Sequence, residues 1–445
     1  MTEPAWVEHA VWWHVYPLGF VAAEAAALDR TTPAIHRLPN IALWLDYLVD
    51  LGASGLLLGP VFESSTHGYD TVDYFRIDRR LGDDDDFAAL VEQAHERGVR
   101  VLLDGVFNHV GRDFPMFARA LGDGPGSSAD GWFRIFWPEA GDAEPDYEHF
   151  EGHRQLVTLN HESPDVVDFV VDVMTYWLDR GADGWRLDAA YAVAAGFWAQ
   201  VLPRVRERHP EAYFVGEVIH GDYAVYVAEA TLDSVTQYEL WKAIWSSLND
   251  RNLYELDWTL TRHNELLDHF APLTFLGNHD VTRIASRLQD DRHLPHAVVL
   301  LMTLGGTPCI YSGDEQGFRG MKEDREGGDA AVRPAFPAEP DGLSPLGRPT
   351  LALHQELVGL RRRHPWLHRA RSHVKHLANG QLVYSSQAND DAIIVALNLD
   401  EDAVTLPAAG GVSVLAGAGD VAGSGGQTTI TLAAHGWAVL SAESK

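Results

Sequence analysis

In GWRLDAA, residues 184–190, Arg186 and Asp188 stand two apart between Trp185 and Leu187. On a β-strand alternate side chains share a face, so Arg186 and Asp188 point one way and Trp185 and Leu187 the other. Alone, the pair reads first as a structural ion pair tying a sheet to a helix. Other polar residues change the balance. HGYDTVDY (67–74), DGVFNH (104–109), YFVGEV (213–218) and NHD (278–280) each end or follow a short apolar run. Tyr69, Asp104, His109, Glu217, His279 and Asp280 therefore gather at one kind of position, the C-terminal end of a strand. Carboxylates and histidines converging on one rim are costly to desolvate without a task. The tasks open to such carboxylates are nucleophilic attack and proton transfer.

The elements that must position them are short β-rich runs at 11–17, 55–60, 99–107, 184–188, 213–218, 232–238, 273–278 and 308–313. Helical patterns lie between them. In SPDVVDFVVDVMTYWLDRG, Ser163 is expected to cap, Pro164 fits the first turn and Gly181 supplies the stop. In DDDDFAALVEQAHERG, Phe87, Leu90, Val91 and Ala94 make one apolar stripe, and the acidic run Asp83–Asp86 suits the helix N-terminus. Strand–helix alternation of this length predicts an α/β fold, a (β/α)8 barrel of the TIM type, with its chemistry at the C-terminal ends of the strands. Two stretches break the alternation. Residues 110–160 are too long for a loop and predict an inserted subdomain. After residue 366 only alternating strands remain, which predicts a C-terminal antiparallel β-sandwich. The expected domains are thus 1–109 with 161–366, 110–160, and 367–445.

The chain has 445 residues, 34 Lys+Arg against 64 Asp+Glu and a formal charge of −30. That balance argues against nucleic acid and anionic membranes, both of which need clustered cations. The single cysteine, Cys309, excludes an internal disulfide and reads as a packed thiol. The start lacks a leader pattern and no apolar run is long enough to span a membrane, so a cytoplasmic protein is expected.

DGVFNH, GWRLDAA, VGEVIH and FLGNHD resemble the four ordered signature regions of the α-amylase family of glycoside hydrolases. LVTLN (156–160) is similar to a further short motif near the end of that family's insert. The resemblance implies Asp188 as nucleophile, Glu217 as acid/base and Asp280 as the carboxylate that stabilises the transition state. It implies that Arg186, His109 and His279 contact the reacting sugar, that Tyr69 is its aromatic platform, and that Asp104 buttresses the site. Asp329 and Arg333 in GGDAAVRP resemble a pair holding the next sugar, with a surface salt bridge as the competing reading. Two carboxylates flanking a glycosidic bond suit a cation-like transition state, and Glu217 is expected to carry the raised pKa while Arg186 keeps Asp188 ionised.

Where α-amylases carry Lys-His this chain has Tyr191 and Ala192, and where neopullulanase relatives carry Trp-His it has Ile219 and His220. Tyr191, Ile219 and His220 are expected to line the acceptor side. The lean is toward neopullulanase- and cyclomaltodextrinase-like members without an N-terminal accessory domain. Insert aromatics Trp132, Phe133, Phe136, Trp137 and Tyr147 either floor a cleft or form a local core. Asn108 resembles a family calcium-ligand position, but with so short an insert no metal or cofactor is expected. The expected partner is an α-gluco-oligosaccharide; oligomeric state is not readable. A transglycosylase shares every motif with a hydrolase, and a silent sugar-binding relative would usually have lost a carboxylate.

Overall fold

Eight parallel strands form the core: β1 (Trp12–Val15), β2 (Gly55–Leu58), β3 (Arg100–Gly105), β4 (Gly184–Leu187), β5 (Tyr213–Gly216), β6 (Ser234–Val235), β7 (Leu273–Phe275) and β8 (Thr307–Tyr311). The computed structural model describes residues 3–29, 31–139, 144–325, 327–408, 411–424 and 427–442; expected segments that run past these limits lie partly outside the described residues. Neighbours pair in the order β6-β5-β4-β3-β2-β1-β8-β7. The cylinder closes between β6 and β7 through an isolated parallel bridge, Thr236 to Leu273.

Inside the barrel, Trp12, Leu57, Leu102, Tyr213, Val215, Leu273, Phe275 and Cys309 pack as one apolar plug. Trp12 stacks on Tyr213 at 6.3 Å. Its indole needs the space beside Gly55, where a Cβ would sit 2.2 Å from the ring. The plug fills the floor, so polar side chains can be held only above it, at the C-terminal rim. Trp185 and Leu187 turn outward into the layer between sheet and helices, where Trp185 meets Phe107 and Phe62. The alternation expected for 184–188 is what the strand adopts.

Helix signals act largely as written. Asp83 accepts from the backbone N–H groups of Asp85 and Asp86 in a capping box, and the Phe87–Ala94 stripe is buried. Helix Pro164–Leu178 starts on its proline, but Ser163 makes no side-chain cap bond, against expectation. With proline at the first position, one orphan donor is already absent.

The stretch 110–160 carries helix Pro115–Asp123 and two short antiparallel pairings, His109–Gly111 with Leu156–Thr158 and Ile135–Phe136 with Asp146–Tyr147. Phe117 packs edge-on against Phe133 and Tyr147, and Trp132, Phe133 and Tyr147 are buried. Those aromatics are the segment's own core; Phe136 is exposed. Beyond the barrel, Arg371–Leu377, Gln381–Ala388, Asp391–Asn398, Trp437–Ala442 and Gly411–Gly417 form one antiparallel sheet, and Val404–Pro407, Gln427–Leu432 and Asp420–Ser424 another. Val383, Ile394, Leu406, Ile430 and Leu440 fill the space between. No helix among the described residues is long and apolar enough to cross a membrane.

Candidate active site

Register places the rim residues. Arg186 on β4 lies opposite Asp104 on β3, and the ladder continues past the strands, with the Asp188 amide donating to Gly105 O (3.0 Å) and the Glu217 amide to Leu187 O (2.8 Å). Backbone hydrogen bonds thus fix the bases of the side chains that matter. Arg186 serves three carboxylates. Its Nη1 donates to both oxygens of Asp104 at 2.7 Å and to Asp188 Oδ1 at 3.0 Å; its Nη2 lies 2.8 Å from Glu217 Oε1. All four groups are buried. Glu217 also accepts from Tyr238 Oη (3.0 Å) and from the Ala189 amide (3.0 Å). Ala189 lies in the left-handed region (φ 45°), a strained conformation that aims its N–H at Glu217.

Fully ionised, this cluster would bury three negative charges against one positive charge, and desolvation alone costs several kcal/mol per ion. Burial accordingly pushes Asp188 well above the usual carboxylate range, with Arg186 opposing and the charges of Glu217 and Asp104 adding. Burial also raises Asp104, to about 6, against the pull of Arg186. The expectation from the sequence put the raised pKa on Glu217 and an ionised carboxylate on Asp188. In the structure burial raises Asp188, and the opposing pull of Arg186, which also faces Asp104 and Glu217, does not offset it.

Around this knot, Tyr69 donates to Asp104 Oδ2 (3.0 Å), and its ring stacks on His279 at 5.0 Å. Burial drives His279 well below the ordinary histidine range and His109 down to about 3, so both rings are neutral near pH 7. His109 Nε2 lies 3.0 Å from Tyr69 O, which makes it the donor. Asn108 is buried with its Nδ2 3.1 Å from His109 Nδ1, where it fixes that ring.

Asp280 stands apart from the knot and is half exposed. Lys322 Nζ binds its Oδ1 at 2.7 Å, and Arg333 lies 3.5 Å away. Both cations also face Asp329, Arg333 at 3.0 Å and Lys322 at 3.6 Å. Asp329 and Arg333 therefore do pair, as the salt-bridge reading had it, but beside Asp280 rather than on a remote surface. Tyr191 donates to Glu151 Oε1 (2.8 Å) and its ring lies 5.6 Å from that of His220. Ile219 and His220 are exposed beyond Glu217.

The family model described as alpha amylase, catalytic domain, matches residues 28–387. The chain belongs to the α-amylase family. It is 31% identical over 434 residues to a cyclomaltodextrinase of Geobacillus thermopakistaniensis (strain MAS1), covering 91% of this chain and 71% of that protein. It is 31% identical over 345 residues to an intracellular maltogenic amylase of Bacillus subtilis, covering 72% of this chain and 57% of that protein. Among solved structures, the cyclic alpha-maltosyl-(1→6)-maltose hydrolase of Arthrobacter globiformis aligns with a TM-score of 0.81 at 26% identity, over 99% of this chain and 100% of that one.

Several residues at this α-amylase family site were not anticipated. Tyr238 follows β6 and so obeys the same rim rule as the others, but the short β6 run hid it. It accepts from Asn278 Nδ2 at 2.9 Å and donates its own hydrogen bond to Glu217 Oε1 at 3.0 Å. Lys322 sits in a loop with no periodicity to read, as does Glu151. His14 on β1, buried and lowered to about 3 mainly by burial, packs edge-on against His279 at 5.3 Å.

Proposed function

We propose that this member of the family hydrolyses α-glucosidic bonds in maltodextrin-like linear, branched or cyclic gluco-oligosaccharides, with retention, through a covalent glycosyl-enzyme. The observation that carries the reading is Asp188 and Glu217 held side by side on the two Nη atoms of one buried guanidinium. Asp188 attacks the anomeric carbon, Glu217 protonates the departing oxygen, and the same Glu217 then activates water. Asp280 lends negative charge to the cation-like sugar. Tyr69, His109 and His279 line the reacting ring. For the bond to break Asp188 must be ionised and the proton must sit on Glu217, so binding of the sugar has to offset the burial that opposes charge on Asp188. Its similarity to the cyclomaltodextrinase and the cyclic maltosyl-maltose hydrolase supports the substrate class, and that to the intracellular amylase supports a cytoplasmic location. Transglycosylation is the second outcome of the same intermediate, when a sugar replaces water.

NMR on fresh product tests retention. The first-formed reducing end should be the α-anomer before mutarotation; an early β-anomer would overturn the mechanism.

Lys322 is a positioning residue for Asp280 in this scheme. Lys322→Met should lower kcat/KM by about five-fold, the worth of a partly exposed ion pair near 1 kcal/mol. Lys322→Arg should recover most of it. Equal losses in the two variants would show that the cation's pairing with Asp280 is immaterial.

A further inference from the structure

Near the end of the 110–160 stretch, Phe150, Glu151 and Gly152 make a tight turn in which Glu151 (φ 49°) and Gly152 (φ 84°) are both left-handed. For glutamate that conformation is strained and persists only where surrounding contacts impose it. Two contacts do so. The Phe150 ring stacks on His109, centroids 4.7 Å apart and 14° from parallel. The Glu151 carboxylate accepts from Tyr191 Oη at 2.8 Å. Tyr191 comes from the opposite wall. It follows β4, and its amide donates to the Glu217 carbonyl at 3.2 Å. The turn therefore reaches from the insert, over His109, to the residue beside the proton donor, which is the side on which a leaving group departs.

We propose that the Glu151–Tyr191 contact is a specificity-determining strap across the leaving-group side of the cleft. The proposal rests on the roles given above to Asp188 and Glu217. On this proposal the closed strap admits one or two glucose units on the leaving side. A longer leaving chain needs the space that the contact spans and must break it. The bond is exposed on the Glu151 side, so water can replace it, and the strap yields at a cost rather than blocking outright. The favoured substrates are accordingly short α-gluco-oligosaccharides, cut one or two units from their reducing end.

Reducing-end-labelled maltoheptaose reads this directly, because the labelled product is the leaving group. The parent should release mostly labelled glucose and maltose. Glu151→Ala and Tyr191→Phe should each raise the share of labelled fragments of three or more units by about five-fold, the equivalent of one lost hydrogen bond. The double variant should match the singles, since the same contact is removed twice. A merely structural role would slow every cleavage alike and leave the distribution unchanged. An unmoved distribution, shifts that multiply, or a parent that already releases long labelled fragments overturns the strap alone. A parent inert on maltoheptaose overturns the strap, and one inert on branched and cyclic α-glucans as well overturns the functional reading with it. If Tyr191→Phe fails to fold, the exposed Glu151→Ala decides.

Discussion

Asp188→Ala should reduce turnover of every α-glucoside by at least about 10^4-fold, whatever its leaving group, because no glycosyl-enzyme can form. The loss is not expected to come from unfolding. Burial raises the Asp188 pKa, so its ionisation opposes folding, and increasingly so as pH rises past the ordinary carboxylate range. Removing the carboxyl relieves that cost and leaves Arg186 still paired with Asp104 and Glu217. A melting temperature at pH 7 equal to or above the parent's, together with absent activity, is the expected result. Residual retaining turnover of a glycosyl fluoride by this variant would show that another group attacks.

Glu217→Ala should behave differently. Natural glucans leave as poor alkoxides and need the proton, so their hydrolysis should fall by about 10^2–10^4-fold. A glycosyl fluoride needs little protonation, and the variant should still form the intermediate on Asp188. Azide, small enough for the space vacated by the carboxyl, should then speed release and yield the α-glycosyl azide. Asp188→Ala should give no such retained product under the same conditions. If the two variants respond alike to leaving group and azide, the roles have been assigned wrongly.

The barrel could be read from the chain because its strands are short apolar runs punctuated by capped helices, patterns fixed by local chemistry. The four signature stretches fell at strand ends for the same reason. What could not be read was how charge is shared. Arg186 next to Asp188 in sequence suggested a private ion pair, whereas register sets Arg186 against Asp104 across the sheet and Glu217 reaches it from the next strand. Lys322 and Glu151 were invisible because loops carry no period, and their partners lie 42 and 40 residues away. Strands Arg371–Leu377 and Asp420–Ser424 carry little alternation in the sequence, because their faces are largely polar or small.

Seven of the barrel's joints are laddered, while β6 and β7 meet at the bridge between Thr236 and Leu273. The cylinder is thus a stave ring with one loose hoop. Just above that joint, the Asn278–Tyr238 hydrogen bond crosses it, tying the support of Glu217 to the loop that bears Asp280. Warming that parts these staves would separate the proton donor's prop from the charge-bearing loop while the Arg186 knot, carried on β3, β4 and β5, stays whole. Activity is therefore expected to fall at temperatures below the melting transition.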